Sequence, residues 1–163
     1  VMGQKALEIY RIYEERKNAM YAFDFDDLLL RTIRILESCE DVRQRWLNRI
    51  DFILVDEFQD TNDVQYHLIK LLSKPSTSIY VVGDPDQTIY TWRGANLDII
   101  MNLEKDYPGL ESITLDRNYR STQTILDCAN RLIANNKKRI PKNLYTENKL
   151  GQKIEIFKGV NKG

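Results

Sequence analysis

The sequence predicts an α/β protein in which helices flank a parallel sheet. Two apolar runs, at residues 53–55 and 79–83, carry this prediction because each is followed abruptly by acidic and amide side chains. Such runs are typical of strands buried in a parallel sheet, and ligands bind at the edge where these strands end. The two runs are separated by a stretch with a helical pattern. We therefore expect chemistry at both strand ends.

The chain is expected to be helical before the first strand. The predicted helices cover residues 3–18, 24–37 and 41–49, and the strand follows at residues 51–55. Acidic side chains open the second helix, where the positive end of the helix dipole favours them. We therefore interpret Asp24, Asp26 and Asp27 as helix caps rather than metal ligands.

Helices and strands alternate in the rest of the chain. The predicted elements are a helix at 62–72, a strand at 79–83, a helix at 98–105, a strand at 111–115, a helix at 121–135 and a strand at 153–158. His67 lies in a predicted helix and is interpreted as structural. The basic run at 136–142 is interpreted as the solvated end of the last helix, with contact to a phosphate as the alternative.

The composition narrows the class of protein. The 163 residues include 24 basic and 24 acidic side chains, which argues against a dedicated polycationic nucleic-acid module. This length is enough to bury a core and to form one or two small domains. Cys39 and Cys128 are isolated and lack metal-binding spacing, so a reduced, cytoplasmic compartment is expected. No apolar run has the length of a membrane span.

The strand ends carry the side chains expected of a site for a metal-bound polyphosphate. Asp56 and Glu57 follow the first strand, and Asp84 and Gln87 follow the second. Mg²⁺ usually takes one or two carboxylates and leaves its other positions to water and phosphate oxygens, which suits Asp56. Glu57 can polarise a water for attack on a γ-phosphate. An acidic pair alone is more often solvated or a helix cap, but the second strand end favours the site.

Three segments resemble the motifs of a known family. DEFQDTN at 56–62, GDPDQTIYTWRGA at 83–95 and LDRNYRST at 115–122 are similar to motifs II, III and IV of superfamily 1A DNA helicases of the UvrD, PcrA and Rep type. DFDDLLLR at 24–31 resembles the segment before motif II. The resemblance implies a RecA-like sheet of the P-loop NTPase type. It also implies an ATP-dependent enzyme that moves 3′ to 5′ on single-stranded DNA and at duplex junctions in repair or replication.

The resemblance implies a role around ATP for each matching residue. Asp56 would bind Mg²⁺, and Glu57 would be the catalytic base. Gln87 would sense the γ-phosphate through its amide, which both donates and accepts hydrogen bonds. Arg120 would be the arginine finger, because its planar guanidinium suits the charge on a transferring phosphoryl group. Tyr119 would lie near the nucleotide base or ribose, with a half-buried core tyrosine as the alternative.

Tyr90, Trp92 and Arg93 form an aromatic and basic group shortly after the second strand end. DNA bases stack on aromatic rings with little sequence preference, for about 1–3 kcal/mol per base. We expect this loop to bind single-stranded DNA, so that the same short segment contacts both ATP and DNA. The alternative is that the Trp92 ring packs at the strand end. Gly94 is compatible with a sharp turn after Arg93.

The chain is expected to be an internal part of a longer helicase. It begins with Val1, and its 163 residues contain no GxxxxGK[ST] phosphate loop, which the family places upstream of these motifs. We expect residues 1–118 to be the distal part of a first RecA-like domain and residues 119–163 to begin a second. These residues alone are expected to be inactive. Two alternatives stay open: the helicase subunit of a RecB/AddA-like helicase-nuclease, and an interaction module that has kept helicase motifs without turnover.

Overall fold

The computed structural model describes residues 3–137 and 139–159. Within these residues the chain forms seven α-helices and two β-strands. In chain order they are α1 (Gln4–Ala19), α2 (Phe25–Ser38), α3 (Glu40–Leu47), β1 (Phe52–Val55), α4 (Asp63–Leu71), β2 (Ser78–Val81), α5 (Leu97–Met101), α6 (Leu103–Asp106) and α7 (Gln123–Ile133). Short 3-10 turns, which the sequence pattern does not predict, cover Phe58–Asp60, Pro85–Gln87 and Thr91–Arg93. No helix in the described part of the chain is long and apolar enough to cross a membrane.

The strands β1 and β2 form a parallel pair, as the sequence predicts. Val55 lies opposite Val81 in the register, so both carboxyl ends lie at the same edge of the sheet. The pairing continues beyond the strands, because the Val82 N–H donates to the Val55 carbonyl at 2.8 Å. The Phe58 N–H in turn donates to the Val82 carbonyl at 2.9 Å. The polar residues that follow the two strands are thereby held side by side.

The strands are half-buried, whereas their apolar runs predict full burial. On one face, Val55 and Val81 pack against the hydrophobic core. On the other face, Phe52, Leu54 and Tyr80 are exposed. Burial therefore alternates along each strand, because the described residues cover only one side of the sheet.

The core is a cluster of four buried side chains, Phe58, Tyr66, Ile99 and Leu103. Phe58 and Tyr66 meet edge to face, with ring centroids 6.1 Å apart and an angle of 73° between the rings. Aromatic pairs favour this geometry because the positive edge of one ring faces the negative face of the other. Phe58 directly follows Glu57, so burial of its ring anchors the polar segment at the end of β1.

Helices α1 and α2 are joined by a cluster of charges, and the predicted caps of α2 are confirmed at two positions. The Asp24 side chain accepts from the Asp27 N–H at 2.8 Å, and the Asp27 side chain accepts from the Asp24 N–H at 3.2 Å. This capping box pairs N–H groups that a helix start otherwise leaves free. Lys17 of α1 lies 2.9 Å from Asp24 and 2.7 Å from Asp27. Asp26 is exposed in the first turn of α2.

Two predicted strands, at residues 111–115 and 153–158, are wrong. Both segments are irregular, and apolar side chains such as Ile113 and Phe157 are exposed there. An apolar run becomes a strand only where a neighbouring strand accepts and donates its backbone hydrogen bonds. The described residues supply no such partner for either segment.

The predicted helices are confirmed in kind, with shifted ends. The helix expected at 98–105 is divided into α5 and α6 at Asn102, whose side-chain amide donates to the Asp98 carbonyl at 2.8 Å. The helix expected at 121–135 is the shorter α7. The backbone of Asn102 has φ of −113° and ψ of 12°, outside the α-helical range, so the helix is interrupted at this residue.

Candidate functional site at the strand ends

The segment after β1 places two carboxylates at the edge of the sheet. Glu57 has φ of 51° and ψ of 40°, a left-handed conformation that costs a residue other than glycine about 1–2 kcal/mol. The turn that follows holds this conformation, because the Asp60 N–H donates to the Glu57 carbonyl at 3.0 Å. Asp56 is exposed, and its Oδ1 accepts from the Glu57 N–H at 2.9 Å. A strained residue at such an edge points to a functional position.

Gln59 connects the two strand ends. Its side chain is almost completely buried, with 2% of the residue exposed. The Gln59 Nε2 donates to Glu57 Oε2 at 2.7 Å, and the Gln59 Oε1 accepts from the Asp84 N–H at 3.0 Å. The sequence pattern marks Gln59 only as one of several polar residues after β1, and the structure shows that it links two of the predicted site segments.

The segment after β2 forms a tight polar turn. Asp84 Oδ1 accepts from the Asp86 N–H at 3.0 Å, and Asp84 Oδ2 accepts from Gln87 Nε2 at 2.8 Å. Pro85 suits the first position of this turn because its ring presets φ. Burial alone would raise the pKa of the Asp84 carboxyl, but hydrogen bonds from Lys142 and Gln87 outweigh it and hold the pKa below its usual value. Asp84 is therefore the centre of the turn.

The basic run after α7 contacts this turn, so the prediction of a solvated helix end is wrong for two of its residues. Lys142 forms an ion pair with Asp84 and lies 3.6 Å from Asp86. Arg139 Nη2 lies 2.9 Å from Asp86 Oδ2. The side chains of Lys142 and Arg139 are only 14% and 15% exposed. Lys138, also in this run, lies outside the described residues. The acidic turn pairs with these cations, a long-range match that local sequence patterns do not reveal.

Tyr90, Trp92 and Arg93 form an exposed cluster in which the two rings are tilted by 55° to each other. The Tyr90 and Trp92 ring centroids are 6.2 Å apart, and the Arg93 guanidinium lies 4.5 Å from the Trp92 centroid and 5.3 Å from that of Tyr90. Trp92 is 72% exposed, which contradicts the alternative of core packing. Gly94 has φ of 86° and ends the turn, as the sequence predicts. The cluster presents flat aromatic surface next to a positive charge.

The aromatic cluster is attached to the segment after β1 through Asn96. The Asn96 N–H donates to the carbonyl of the buried Thr61 at 3.0 Å. The Asn96 side-chain amide donates to Asp63 Oδ1 at 2.9 Å. The aromatic loop and the acidic strand end are thus two parts of one hydrogen-bonded unit.

Tyr119 and Arg120 lie in a separate turn. The Asn118 side chain accepts from the Arg120 N–H at 2.9 Å and from the Ser121 N–H at 2.7 Å. Tyr119 is exposed, so a half-buried core position is excluded, and the Arg117 guanidinium lies 4.9 Å from its ring centroid. Among the described residues, no hydrogen bond or ion pair joins this turn to the strand ends.

The strand ends fit a magnesium ion that takes one ligand from the protein and others from phosphate oxygens and water. No three His, Cys, Asp or Glu side chains lie close enough to hold a metal by themselves, over the residues described. Mg²⁺ does not need such a cage, because it keeps waters and uses one or two carboxylates plus phosphate oxygens. Asp56 is exposed at the edge, and its only hydrogen bond within the described residues uses Oδ1. Asp56 is thus a suitable single carboxylate ligand.

Two family models match consecutive parts of this chain. The model for the UvrD/REP helicase N-terminal domain matches residues 2–108, and that for the UvrD-like helicase C-terminal domain matches residues 113–162. The strand-end site therefore lies within a domain of helicase type. The chain belongs to the UvrD/REP helicase family.

Individual relatives are similar over almost the whole chain. The ATP-dependent DNA helicase PcrA of Leuconostoc citreum is 46% identical over 151 residues, which make up 93% of this chain and 20% of that protein. A probable DNA helicase II homolog of Mycoplasma capricolum subsp. capricolum is 49% identical over 148 residues, or 91% of this chain and 20% of that protein. The ATP-dependent DNA helicase PcrA of Staphylococcus aureus is 44% identical over 158 residues, which make up 97% of this chain and 22% of that protein. The chain spans about a fifth of the length of these curated relatives.

Proposed function

We propose that this chain is part of an ATP-dependent DNA helicase that couples Mg-ATP hydrolysis to 3′ to 5′ movement on single-stranded DNA, in repair or replication. The observation that carries the proposal is the joined pair of strand ends, in which Gln59 links Glu57 to Asp84 and Asp84 holds Gln87. The relatives are named as DNA helicases, two of those compared as ATP-dependent, which supports the same activity here.

Three residues of this chain would have separate roles at the γ-phosphate. Asp56 would hold Mg²⁺, which supplies positive charge against the phosphate oxygens when it is bound. Glu57 would orient the attacking water and accept its proton. Gln87 would contact the γ-phosphate through the amide that donates to Asp84 in this structure. These roles need mainly positioning and charge stabilisation, which a pair of adjacent strand ends provides.

The second half of the chain would complete the nucleotide site. We assign residues 1–118 to the distal part of a first RecA-like domain and residues 119–163 to the beginning of a second. Arg120 would stabilise the charge on the transferring phosphoryl group, and Tyr119 would lie near the base or ribose. Both side chains are exposed and able to reach a ligand.

The exposed cluster of Tyr90, Trp92 and Arg93 would hold single-stranded DNA. Two rings and a guanidinium offer stacking surfaces that every base fits, and the Arg93 charge adds attraction to the backbone phosphates. The link through Asn96 to Thr61 ties this surface to the segment that carries Glu57. A change at the nucleotide would thereby reach the DNA contact through a few hydrogen bonds.

Substitution of Glu57 in the complete helicase tests the proposal. Glu57→Gln keeps the size of the side chain but removes the base, so ATP binding should persist while the DNA-stimulated kcat falls by orders of magnitude. Steady-state phosphate release and equilibrium nucleotide binding measure the two quantities. Arg120→Ala should lower kcat in the same way, and normal turnover in that variant would remove Arg120 from this role.

A matched control is Glu104→Gln, which makes the same change at an exposed carboxylate of α6. Its turnover should equal that of the wild type. Equal loss of ATP binding and turnover in Glu57→Gln would make Glu57 a structural or metal-site residue. A complete protein that binds DNA but releases no phosphate would favour the non-catalytic interaction module.

A further inference from the structure

We infer that Gln59 is a positioning residue that sets the direction of the Glu57 carboxylate from the turn after β2. This role rests on the proposed function of Glu57 as the base. Gln59 would not touch ATP, because its side chain is buried beneath the strand ends with 2% of the residue exposed. It would act through one hydrogen bond to Glu57 and one from Asp84.

The two hydrogen bonds determine which way the Gln59 amide faces. The Asp84 backbone N–H can only donate, so the atom 3.0 Å from it must be the Gln59 carbonyl oxygen. The amide nitrogen Nε2 then lies 2.7 Å from Glu57 Oε2 and donates to this carboxylate oxygen, which can only accept. A flipped amide would place donor against donor at one end and acceptor against acceptor at the other. The flipped orientation would leave the buried amide oxygen and nitrogen of Gln59 without partners, which costs free energy of folding.

Gly83 provides the space that this amide occupies. A Cβ at Gly83 would lie 2.8 Å from Gln59 Oε1, 3.2 Å from the Gln59 backbone nitrogen and 3.2 Å from Ile100 Cδ1. Real Cβ atoms essentially never approach another heavy atom as closely as the first of these distances. The Gln59 amide therefore packs closely against the Gly83 backbone, and the turn after β2 cannot move toward Gln59 without displacing its side chain.

This packing gives Gln59 a function that its burial alone does not. Glu57 is exposed, and an exposed glutamate side chain samples several rotamers. The buried amide selects one of them, and it takes its own position from the turn that holds Gln87 through Asp84. The γ-phosphate contact proposed for Gln87 and the base proposed for Glu57 are thus aligned by one side chain.

Gln59→Glu removes the hydrogen bond to Glu57 and keeps the one from Asp84. A carboxylate at this position still accepts from the Asp84 N–H, but it has no N–H for Glu57 and repels its charge. In the complete helicase we expect DNA-stimulated kcat to fall by on the order of 100-fold, the size of effect that follows from a misplaced reacting group. The KM for ATP should stay within about twofold, because Gln59 makes no contact with nucleotide. The matched control is Gln65→Glu, at an exposed capping position on α4, which should leave kcat unchanged.

A second set of variants tests the same role without a new charge. Gly83→Ala should lower kcat because its Cβ displaces the Gln59 amide, and Gln59→Ala should lower kcat because the amide is absent. In the double variant the shorter side chain at position 59 removes the closest clash. The remaining 3.2 Å approaches, to the Gln59 backbone nitrogen and to Ile100 Cδ1, require shifts of only a few tenths of an ångström. The double variant should therefore have a kcat close to that of Gln59→Ala alone, rather than the product of the two losses.

The outcomes distinguish failure of this role from failure of the proposed function. If the complete wild-type protein shows no DNA-stimulated phosphate release, or if Glu57→Gln is fully active, the proposed function fails and the role of Gln59 fails with it. If wild type is active and Glu57→Gln is inactive, the function stands. In that case a kcat of Gln59→Glu within twofold of wild type overturns the role. A double variant whose kcat is reduced by the product of the two single losses would also overturn the role of Gln59. This test holds even where Gln59→Glu fails to fold.

Discussion

At the scale of single residues, the site depends on two side chains that sequence patterns treat alike. Glu57 and Gln59 are both polar residues after an apolar run, yet Glu57 is exposed in a left-handed conformation and Gln59 is buried. Phe58 between them is buried in the core, so the turn of the chain sends its neighbours to different environments. The residue types indicate phosphate chemistry, and the backbone decides which of them meets solvent.

Trp92→Ala tests the proposed DNA contact at the same scale. If a base stacks on this ring, the variant in the complete helicase should bind single-stranded DNA more weakly by about 1–3 kcal/mol. Its DNA-stimulated ATPase should fall as well. The melting temperature should change little, because the ring is exposed and contributes no core packing. Fluorescence anisotropy with labelled single-stranded DNA and thermal unfolding measure the two effects.

Trp46→Ala is the matched control for this prediction. Trp46 is also an exposed tryptophan with an arginine nearby, since the Arg49 guanidinium lies 5.8 Å from its ring centroid. It lies on α3, outside the segment proposed to bind DNA. Equal losses of DNA affinity in the two variants, or a lower melting temperature for Trp92→Ala with unchanged DNA affinity, would contradict stacking at Trp92.

At the scale of elements, the helix start predicted at Asp24 is confirmed, whereas two of the four predicted strands are wrong. Asp24 at the start of α2 and Asn62 at the start of α4 both form capping boxes with the residue three positions later. A cap needs only neighbours within one helical turn. The strands predicted at 111–115 and 153–158 needed partners from elsewhere in the chain, and the described residues do not provide them.

The charge cluster between α1 and α2 predicts a dependence of stability on pH. The hydrogen bond from Lys17 lowers the pKa of the Asp27 carboxyl, against the effect of burial, and Arg31 adds to it. A carboxyl with a lowered pKa in the folded state stabilises the fold above its unfolded pKa of about 3.9, and this stabilisation is lost as the pH falls through the folded value. The Asp27→Asn variant should therefore lose less stability than wild type when the pH is lowered from neutral to below about 3.9.

Urea unfolding of the complete protein at neutral and acidic pH measures the effect as a difference in midpoint. The control is Asp26→Asn, which changes the adjacent carboxylate of the same helical turn but lies exposed and outside the ion pairs. It should lose as much stability in acid as wild type does. The same acid sensitivity in Asp27→Asn as in wild type would show that the Lys17 cluster does not contribute.

At the scale of the whole molecule, the strand ends are contacted by a distant part of the chain. Lys142 and Arg139 pair with Asp84 and Asp86, which lie more than fifty residues earlier. These pairs join the turn that carries Gln87 to the region assigned to a second domain.

The 163 residues alone should hydrolyse no ATP. The sequence contains no phosphate loop, whose backbone amides and lysine hold the β- and γ-phosphates, so Glu57 would have no positioned substrate. Phosphate release by the purified 163-residue polypeptide, with and without single-stranded DNA, is the measurement, and the complete helicase is the positive control. DNA-stimulated release that Glu57→Gln abolishes would contradict this prediction.

The sequence by itself determines the order and kind of most elements, the caps of α2 and the polar chemistry of the strand ends, because each depends on residues within a few positions of one another. The tertiary structure alone decides that Gln59 bridges Glu57 to Asp84 and that Lys142 pairs with Asp84. It also decides that the strands are packed on one side. These features depend on which distant surfaces meet, and the energy of such contacts comes from burial and charge pairing that no local pattern records.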